Sequence, residues 1–224
     1  MNFLAPFCAS VAATIAISHA AVVYSIDIGN ADNPLAESGW SALNAPTAGD
    51  GGTVNVSGVD FTLSSSDGSR LRGSVGSPDP NALTGDFAFD DGANQAVILL
   101  FGGAGDLAAG TWQVEVWAYE ANGGVGNQIL GLRTNASDSS PATINGTFQG
   151  NGTVTETMGS DPVNPSATFT FLSDGVSAYD VFVRENNANN RSRLNAVRLT
   201  AVPEPSSIAL LGLGLAGLVI RRKR

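Results

Sequence analysis

The sequence from Trp112 to Tyr119 reads WQVEVWAY and alternates apolar with polar or larger aromatic side chains. Successive side chains of a β-strand point to opposite faces of a sheet, so this alternation predicts a strand with one buried face. The predicted core face carries Trp112, Val114, Val116 and Ala118. The predicted outer face carries Gln113, Glu115, Trp117 and Tyr119.

Similar short alternating segments recur along residues 21–202, separated by clusters of Gly, Ser, Asn and Asp. No stretch of this range sustains the 3.6-residue apolar period of an amphipathic helix. Many short strands joined by turn residues are typical of an all-β fold in which two antiparallel sheets pack as a β-sandwich. The sequence therefore predicts a single sandwich domain over residues 21–199.

The N-terminal residues differ in composition from this domain. Residues 3–17 are mostly apolar, and Ser18-His19-Ala20 places small residues at the first and third positions of a signal-peptidase site. We therefore expect residues 1–20 to form a helical signal peptide that is removed after Ala20.

The C-terminal residues form a second distinct segment. A linker at residues 200–207 contains Pro203-Glu204-Pro205, and residues 208–224 join an apolar run to four basic residues. Proline cannot continue a helix, so the linker is expected to be extended. The apolar run with its basic end predicts a transmembrane helix that keeps its positive charge on the cytoplasmic side.

This three-part tail resembles the PEP-CTERM sorting signal of Gram-negative bacteria that make exopolysaccharide. The resemblance implies that an exosortase recognises Pro203, Glu204 and Pro205, while Arg221 and Arg222 hold the cytoplasmic end. It also implies an exported protein that is anchored transiently in the inner membrane and then reaches the cell surface or the extracellular matrix. A permanent tail anchor is the alternative, but its apolar run is short for a bilayer that needs about 20 residues.

The central domain lacks three reactive residue types. His19 and Cys8 lie in the signal peptide and Lys223 lies in the tail, and the chain has no other His, Cys or Lys. Cys and His nucleophiles, a His general base, a Lys Schiff base and zinc sites of His or Cys are therefore excluded from the domain. Carboxylate pairs for glycoside hydrolysis remain available, but no pair stands out in the sequence. We expect a protein that is not an enzyme, with a glycoside hydrolase as the alternative.

The charge of the domain is strongly negative. Glu204 is the one acid of 20 outside residues 21–202, and four of the 11 basic residues lie in the tail. The domain thus has seven Arg against 19 acids and a net charge of −12. Without a basic patch to neutralise phosphates, nucleic acid is not expected as a partner.

Three segments together resemble the galactose-binding-like jelly roll of malectin-type and related carbohydrate-binding modules. They are residues 24–30 with Ser38-Gly39-Trp40, residues 102–119, and residues 193–199. The resemblance implies a jelly-roll-like sandwich in which the first and last strands pair, with glycan as a ligand and often a structural Ca²⁺.

Aromatic residues among polar neighbours are the candidates for glycan binding. A ring can stack on the apolar face of a sugar while nearby polar groups bind its hydroxyls. We therefore interpret Trp40, Trp117 and Tyr119 as candidate binding residues for exopolysaccharide in a biofilm. Burial of these rings under a loop is one alternative, and a structural matrix protein with no specific ligand is another.

Two acidic segments are candidates for a Ca²⁺ site. The first contains Asp27, Asn30, Asp32 and Glu37, and the second contains Asp86, Asp90, Asp91 and Asn94. Ca²⁺ binds six to eight oxygen ligands, which such segments can supply. Neither has the spacing of an EF-hand, and acidic residues also form ordinary Asx-turns. The jelly-roll resemblance favours the first segment as the structural Ca²⁺ site.

Overall fold

The computed structural model describes residues 21–30, 37–45, 51–65, 67–71, 86–90, 96–119, 127–134, 147–157, 164–185 and 192–203. Their strands are β1 (Val23–Asn30), β2 (Ser41–Ala45), β3 (Thr53–Val56), β4 (Val59–Ser64), β5 (Ser69–Leu71), β6 (Asp86–Asp90), β7 (Ala96–Phe101), β8 (Gly110–Trp117), β9 (Asn127–Thr134), β10 (Thr147–Thr157), β11 (Ala167–Ser173), β12 (Tyr179–Glu185), β13 (Ser192–Leu194) and β14 (Ala196–Ala201). The one helical segment in these ranges is a 3-10 turn at Gly103–Gly105. The all-β prediction is confirmed for the described residues.

Two large sheets and one small sheet contain these strands. Sheet A has the order β11-β8-β14-β1-β2, sheet B has the order β10-β9-β12-β7-β4-β3, and sheet C has the order β13-β6-β5. The pairing is antiparallel except between β1 and β2, which run parallel. A parallel pair needs a connection longer than a hairpin, and residues 31–40 provide it. The predicted sandwich of two antiparallel sheets is therefore correct in outline, whereas the parallel pair and sheet C were not predicted.

The core lies between the inner faces of sheets A and B. Aromatic pairs join the two sheets: the Tyr24 and Phe61 ring centroids lie 5.9 Å apart, and those of Phe101 and Phe171 lie 6.3 Å apart. In β8 the predicted core face is confirmed, since Trp112, Val114, Val116 and Ala118 are all buried in this cluster. The sandwich is thus held by the apolar face of each strand, as the period-two pattern requires.

The first and last strands lie side by side in sheet A. Val23 pairs with Thr200 and Asp27 pairs with Ala196, so the two strands are antiparallel. We call the end of the sheet at Val23 the termini end and the end beyond Asp27 the loop end. The chain therefore enters and leaves the sandwich at the termini end.

Sheet A continues into the segment that the sequence assigned to the linker. β14 includes Thr200 and Ala201, and the Val202 amide donates to the Thr111 carbonyl at 2.9 Å. Residues Ala21–Val202 form one compact unit. The sheet hydrogen bonds therefore end directly before Pro203.

The predicted signal helix at residues 1–20 and the predicted transmembrane helix at residues 208–224 lie outside the described residues. Within the described residues, no helix has the length and apolarity that crossing a membrane requires.

Candidate functional site

A row of polar side chains crosses the outer face of sheet A. Arg198 of β14 lies opposite Glu115 of β8, which in turn lies opposite Thr168 of β11. The Arg198 Nε atom donates to Glu115 Oε2 at 2.6 Å, and both side chains are partly exposed. A directly opposed pair of opposite charge stabilises neighbouring strands. The row therefore presents a fixed ion pair on an accessible sheet surface.

Two tryptophans lie beside this ion pair. Trp117 packs edge-to-face against Trp40, with ring centroids 5.3 Å apart and planes at 85°. The Arg198 guanidinium carbon lies 5.4 Å from the Trp117 centroid and 5.9 Å from the Trp40 centroid. Edge-to-face and cation–π contacts of this kind each stabilise a fixed arrangement of the groups. We call Trp40, Trp117, Arg198 and Glu115 the tryptophan–arginine cluster.

The two rings differ in their access to solvent. Trp117 is only 3% exposed and packs on Ala196. Trp40 is half-buried and comes from the turn before β2, which covers Trp117 from outside. A ligand approaching the cluster would thus meet Trp40 first, with Trp117 supporting it from below.

A tight turn places Trp40 over the sheet. The Trp40 amide donates to the Glu37 carbonyl at 3.0 Å, and Gly39 between them has φ +85°. A type II turn needs this left-handed conformation at its third position, which glycine adopts without steric cost. The Glu37 amide donates in turn to Asp27 Oδ2 at 2.6 Å. Asp27 therefore holds the turn that positions Trp40.

Asp27 is an unusual residue for the interior of a sheet. Its side chain is fully buried, and its Oδ1 atom has no hydrogen-bond partner among the described residues. Burial raises the pKa of the Asp27 carboxyl to about 6, against the lowering effect of the Glu37 amide. An ionised Asp27 would gain from a cation at Oδ1, since a buried carboxylate with an open oxygen is costly.

Two more oxygen-bearing side chains approach the same face of β1. Gly29 lies two residues beyond Asp27, and a Cβ there would lie 2.9 Å from Asp86 Oδ2 and 3.0 Å from Asn44 Oδ1. Asp86 belongs to the second acidic segment, which lies far from the first in the sequence. The fold therefore brings one carboxylate of each segment to the same strand.

A cation bound in this region would have both carboxylate and amide oxygens as ligands. The described residues contain no group of three or more His, Cys, Asp or Glu side chains that could hold a metal. Asp27 would supply one carboxylate, and Asp86 and Asn44 beside Gly29 would supply a second carboxylate and an amide oxygen. Asn30 ends β1, and the predicted ligand Asp32 lies outside the described residues.

Tyr119 lies at the same end of β8 as Trp117. Its backbone amide donates to Asn195 Oδ1 at 2.6 Å, and Asn195 Nδ2 donates to the Asp86 carbonyl at 2.8 Å. Asn195 thus ties the exit of β8 to sheet C. The sequence did not single out Asn195, Arg198 or Glu115 as a group, because their proximity depends on strand register.

The C-terminal tail is a second kind of functional site. Pro203 is the last described residue and is exposed, whereas Glu204, Pro205, Arg221 and Arg222 lie outside the described residues. Residues 201–224 match the family model described as the PEP-CTERM protein-sorting motif. The chain carries a PEP-CTERM sorting motif. This confirms the resemblance of the tail to that sorting signal.

The PEP-CTERM motif marks an exported protein that an exosortase processes at the membrane and that then reaches the cell surface. The intermediate is anchored in the membrane through the motif segment. Because the match begins at Ala201, this one residue belongs both to the motif and to the last strand of the sandwich. No curated protein and no solved structure matches the chain. The jelly-roll resemblance therefore stays a prediction.

Proposed function

We propose that the sandwich domain of this PEP-CTERM protein binds exopolysaccharide glycans at the tryptophan–arginine cluster and acts without catalysis. The support comes from the half-exposed Trp40 ring beside the Arg198–Glu115 ion pair. Sugar sites combine an apolar ring for the CH face with charged or polar groups for the hydroxyls. The cluster offers both at one place on the outer face of sheet A.

The rest of the outer face suits a long polymer. Between the cluster and the termini end, the face carries hydroxyl and amide side chains that are partly or fully exposed: Ser25, Thr168, Thr170, Gln113 and Thr200. These groups can exchange hydrogen bonds with water for hydrogen bonds with sugar hydroxyls at little net cost. A chain of several sugar units could thus lie across sheet A from Trp40.

The negative charge of the domain limits the class of polysaccharide that it can bind. Arg198 is the cation of the cluster and is already paired with Glu115. The domain also has a net charge of −12, from seven Arg and 19 acids within residues 21–202. An acidic polysaccharide would be repelled at low ionic strength unless cations screened it. A neutral exopolysaccharide is therefore the ligand we propose.

The two tryptophans have different roles in this proposal. Trp40 contacts the sugar, while Trp117 holds the Trp40 ring and the Arg198 side chain in place. Replacing Trp40 by alanine should reduce affinity for the polysaccharide by tenfold or more, since burying a large apolar side chain against the sugar supplies about 1.5–3 kcal/mol. Affinity gel electrophoresis of the domain at residues 21–202 measures this change.

The matched control is Leu172, a large residue on the same outer face but at the termini end. Its side chain is 67% exposed, so Leu172→Ala should leave both folding and polysaccharide affinity unchanged. Equal affinity of the Trp40→Ala variant and the unchanged domain would show that the cluster does not bind sugar. The protein would then be better described as a structural surface protein.

We propose further that Ca²⁺ binds beside Asp27 and stabilises the turn that carries Trp40. Asp27 supplies the buried Oδ1, while Asp86 and Asn44 supply neighbouring oxygens. Ca²⁺ accepts such mixed sets of carboxylate and amide ligands. In this role the ion is structural and acts on the ligand site only through the Glu37 amide on Asp27.

The pH dependence of stability tests this role of Asp27. Folding raises the pKa of Asp27 from 3.8 to about 6. The stabilising contribution of the protonated form is therefore fully present below pH 3.8 and is lost as the pH rises to about 6. In EDTA this loss should be at most about 3 kcal/mol, since a difference of one pKa unit corresponds to about 1.4 kcal/mol.

Thermal unfolding in EDTA and in Ca²⁺ provides the measurement. We expect the unchanged domain to lose stability between pH 4 and pH 6.5 in EDTA more than an Asp27→Asn variant does. At pH 7.5, Ca²⁺ should raise the melting temperature of the unchanged domain and not that of the variant. A melting temperature that neither EDTA nor Ca²⁺ alters at pH 7.5 would contradict the Ca²⁺ site.

A further inference from the structure

The exposed apolar side chains of the described residues are concentrated at one end of the sandwich. The large hydrophobic residues with the greatest exposure are Val22 at 50%, Val23 at 48%, Leu172 at 67%, Val176 at 71% and Val202 at 40%. Val22 and Val23 begin the first strand, Val202 follows the last, and Val176 lies in the turn after β11. We call these five residues the apolar end patch.

Strand register groups the members of the patch. Leu172 lies opposite Thr111, and the Val202 amide donates to the Thr111 carbonyl on the other side of the same strand. Val202 and Leu172 therefore flank one residue, about 10 Å apart at the spacing of two strands. Val23 lies opposite Thr200 on the next strand. Exposed apolar residues scattered singly are ordinary, but Val23, Val202 and Leu172 are neighbours on one face of sheet A, which makes them a candidate interaction surface.

The patch adjoins the residues that the processing enzyme must read. Val202 is bonded to β8, and the next residue is Pro203, the first residue of the Pro-Glu-Pro triplet. Glu204 can lie no more than about 7 Å from Val202 along an extended chain. The triplet therefore begins at the residue that directly follows the termini end of sheet A.

The residues before the triplet cannot enter a protease cleft as a free strand. β14 is hydrogen-bonded to β8 on one side and to β1 on the other. Releasing even its last residues would break sheet bonds on both sides and expose Leu199, which is fully buried. The enzyme must then approach the triplet from its C-terminal side and meet the domain as a folded body.

We propose that the apolar end patch is a second docking surface for the exosortase, used while the enzyme holds Pro203-Glu204-Pro205. This role is independent of glycan binding and rests only on the sorting motif and the fold. Contact with the patch would orient the tail for cleavage and would favour chains whose sandwich has already folded, because only the folded sheet assembles residues from β1, β11 and β14.

A protein surface fits this patch better than a lipid surface does. Asp106 and Asp174 are exposed at the same end. Hydrogen bonds from the Ser177 hydroxyl and from the Ser177 and Val176 amides hold the pKa of Asp174 well below its usual range, so it is ionised throughout the physiological range. An anionic lipid surface would repel these carboxylates, whereas a protein can offer apolar and basic groups together.

Site-specific photo-cross-linking tests the contact directly. The full chain is produced in cells with a tagged, catalytically inactive exosortase, with a photo-reactive amino acid in place of Leu172 or, as control, of Thr168. Both positions are exposed on β11, and Thr168 lies four residues nearer the loop end. We expect a cross-link to the exosortase from position 172 and none from position 168. Cross-linking from 172 only to phospholipid, only to a second copy of the chain, or to nothing would overturn the proposal.

The rate of processing by the exosortase provides a second test of this docking surface. The double substitution Leu172→Thr and Val176→Thr introduces side chains that suit a strand but removes apolar surface. It should slow conversion to the processed form about tenfold in a pulse-chase experiment with active exosortase. Thr168→Ser should be processed at the wild-type rate. Wild-type conversion of the double variant would overturn the docking role while leaving the motif itself in place.

Discussion

Replacing Asp180 by alanine should lower the free energy of unfolding of the domain by about 3–5 kcal/mol. Asp180 of β12 lies opposite Arg133 of β9 in sheet B, and both side chains are fully buried. Arg133 Nε donates to Asp180 Oδ1 at 2.7 Å, and Arg133 Nη2 donates to Asp180 Oδ2. The alanine variant would keep the buried guanidinium but remove its carboxylate. Losing one partner of a buried pair costs more than losing both.

Urea denaturation of the domain measures this loss, with two controls. The double substitution Arg133→Met with Asp180→Leu should recover most of the stability, because neither buried charge of this pair remains. The surface pair offers the matched comparison: Glu115→Gln should cost less than about 1 kcal/mol, since Glu115 and Arg198 are both partly exposed. A loss below 1 kcal/mol for Asp180→Ala would mean that water reaches Arg133.

Replacing Pro203, Glu204 and Pro205 together by alanine should abolish exosortase processing. Proline restricts its own φ and has no amide donor, so it continues neither a strand nor a helix, whereas alanine can continue both. In a strain with active exosortase, the unprocessed chain should accumulate in the membrane fraction and the processed form should fall to background. Immunoblotting of membrane and secreted fractions measures both.

The control for this variant alters the next two residues instead. Ser206→Ala with Ser207→Ala leaves the triplet intact and alters the residues directly after it, so normal processing is expected. Unchanged processing of the triple-alanine variant would contradict the assignment of the triplet as the recognition element. It would then place recognition in the apolar segment that follows.

Local patterns in the sequence predicted local features of the molecule. The alternation in residues 112–119 predicted both faces of β8, because side-chain period is a property of the single strand. The sorting signal in the tail was predicted for the same reason, since it is a linear motif that needs no contact between distant residues. The pairing of β1 with β14 was expected from the jelly-roll resemblance and not from periodicity.

Features that depend on register between distant strands were not predicted. Trp40 covers Trp117 although 76 residues separate them in the chain, so the sequence could not decide which ring is accessible. Asp86 lies beside Gly29 for the same reason, which joins two acidic segments that had been considered separately. Such contacts follow from sheet order, and many orders are compatible with one set of alternating strands.

The arrangement of the two sites along sheet A is consistent with their proposed uses. The sorting motif leaves the sheet at the termini end, whereas Asp27 and Trp117 lie toward the loop end. Four residues of strand separate Val23 from Asp27, which is about 13 Å. Val202, which directly precedes the sorting triplet, and the tryptophan–arginine cluster therefore lie toward opposite ends of sheet A.

A single binding experiment tests whether the tryptophan–arginine cluster binds glycans. The domain at residues 21–202 is titrated with neutral exopolysaccharide from the source organism in Ca²⁺ and in EDTA, with the Trp40→Ala variant in parallel. We expect the unchanged domain to bind the polysaccharide, and to bind it more weakly in EDTA. The Trp40→Ala variant should lose affinity at least tenfold. Absence of binding by a folded, Ca²⁺-loaded domain would contradict glycan binding by the cluster and leave the sorting motif as the functional site of the chain.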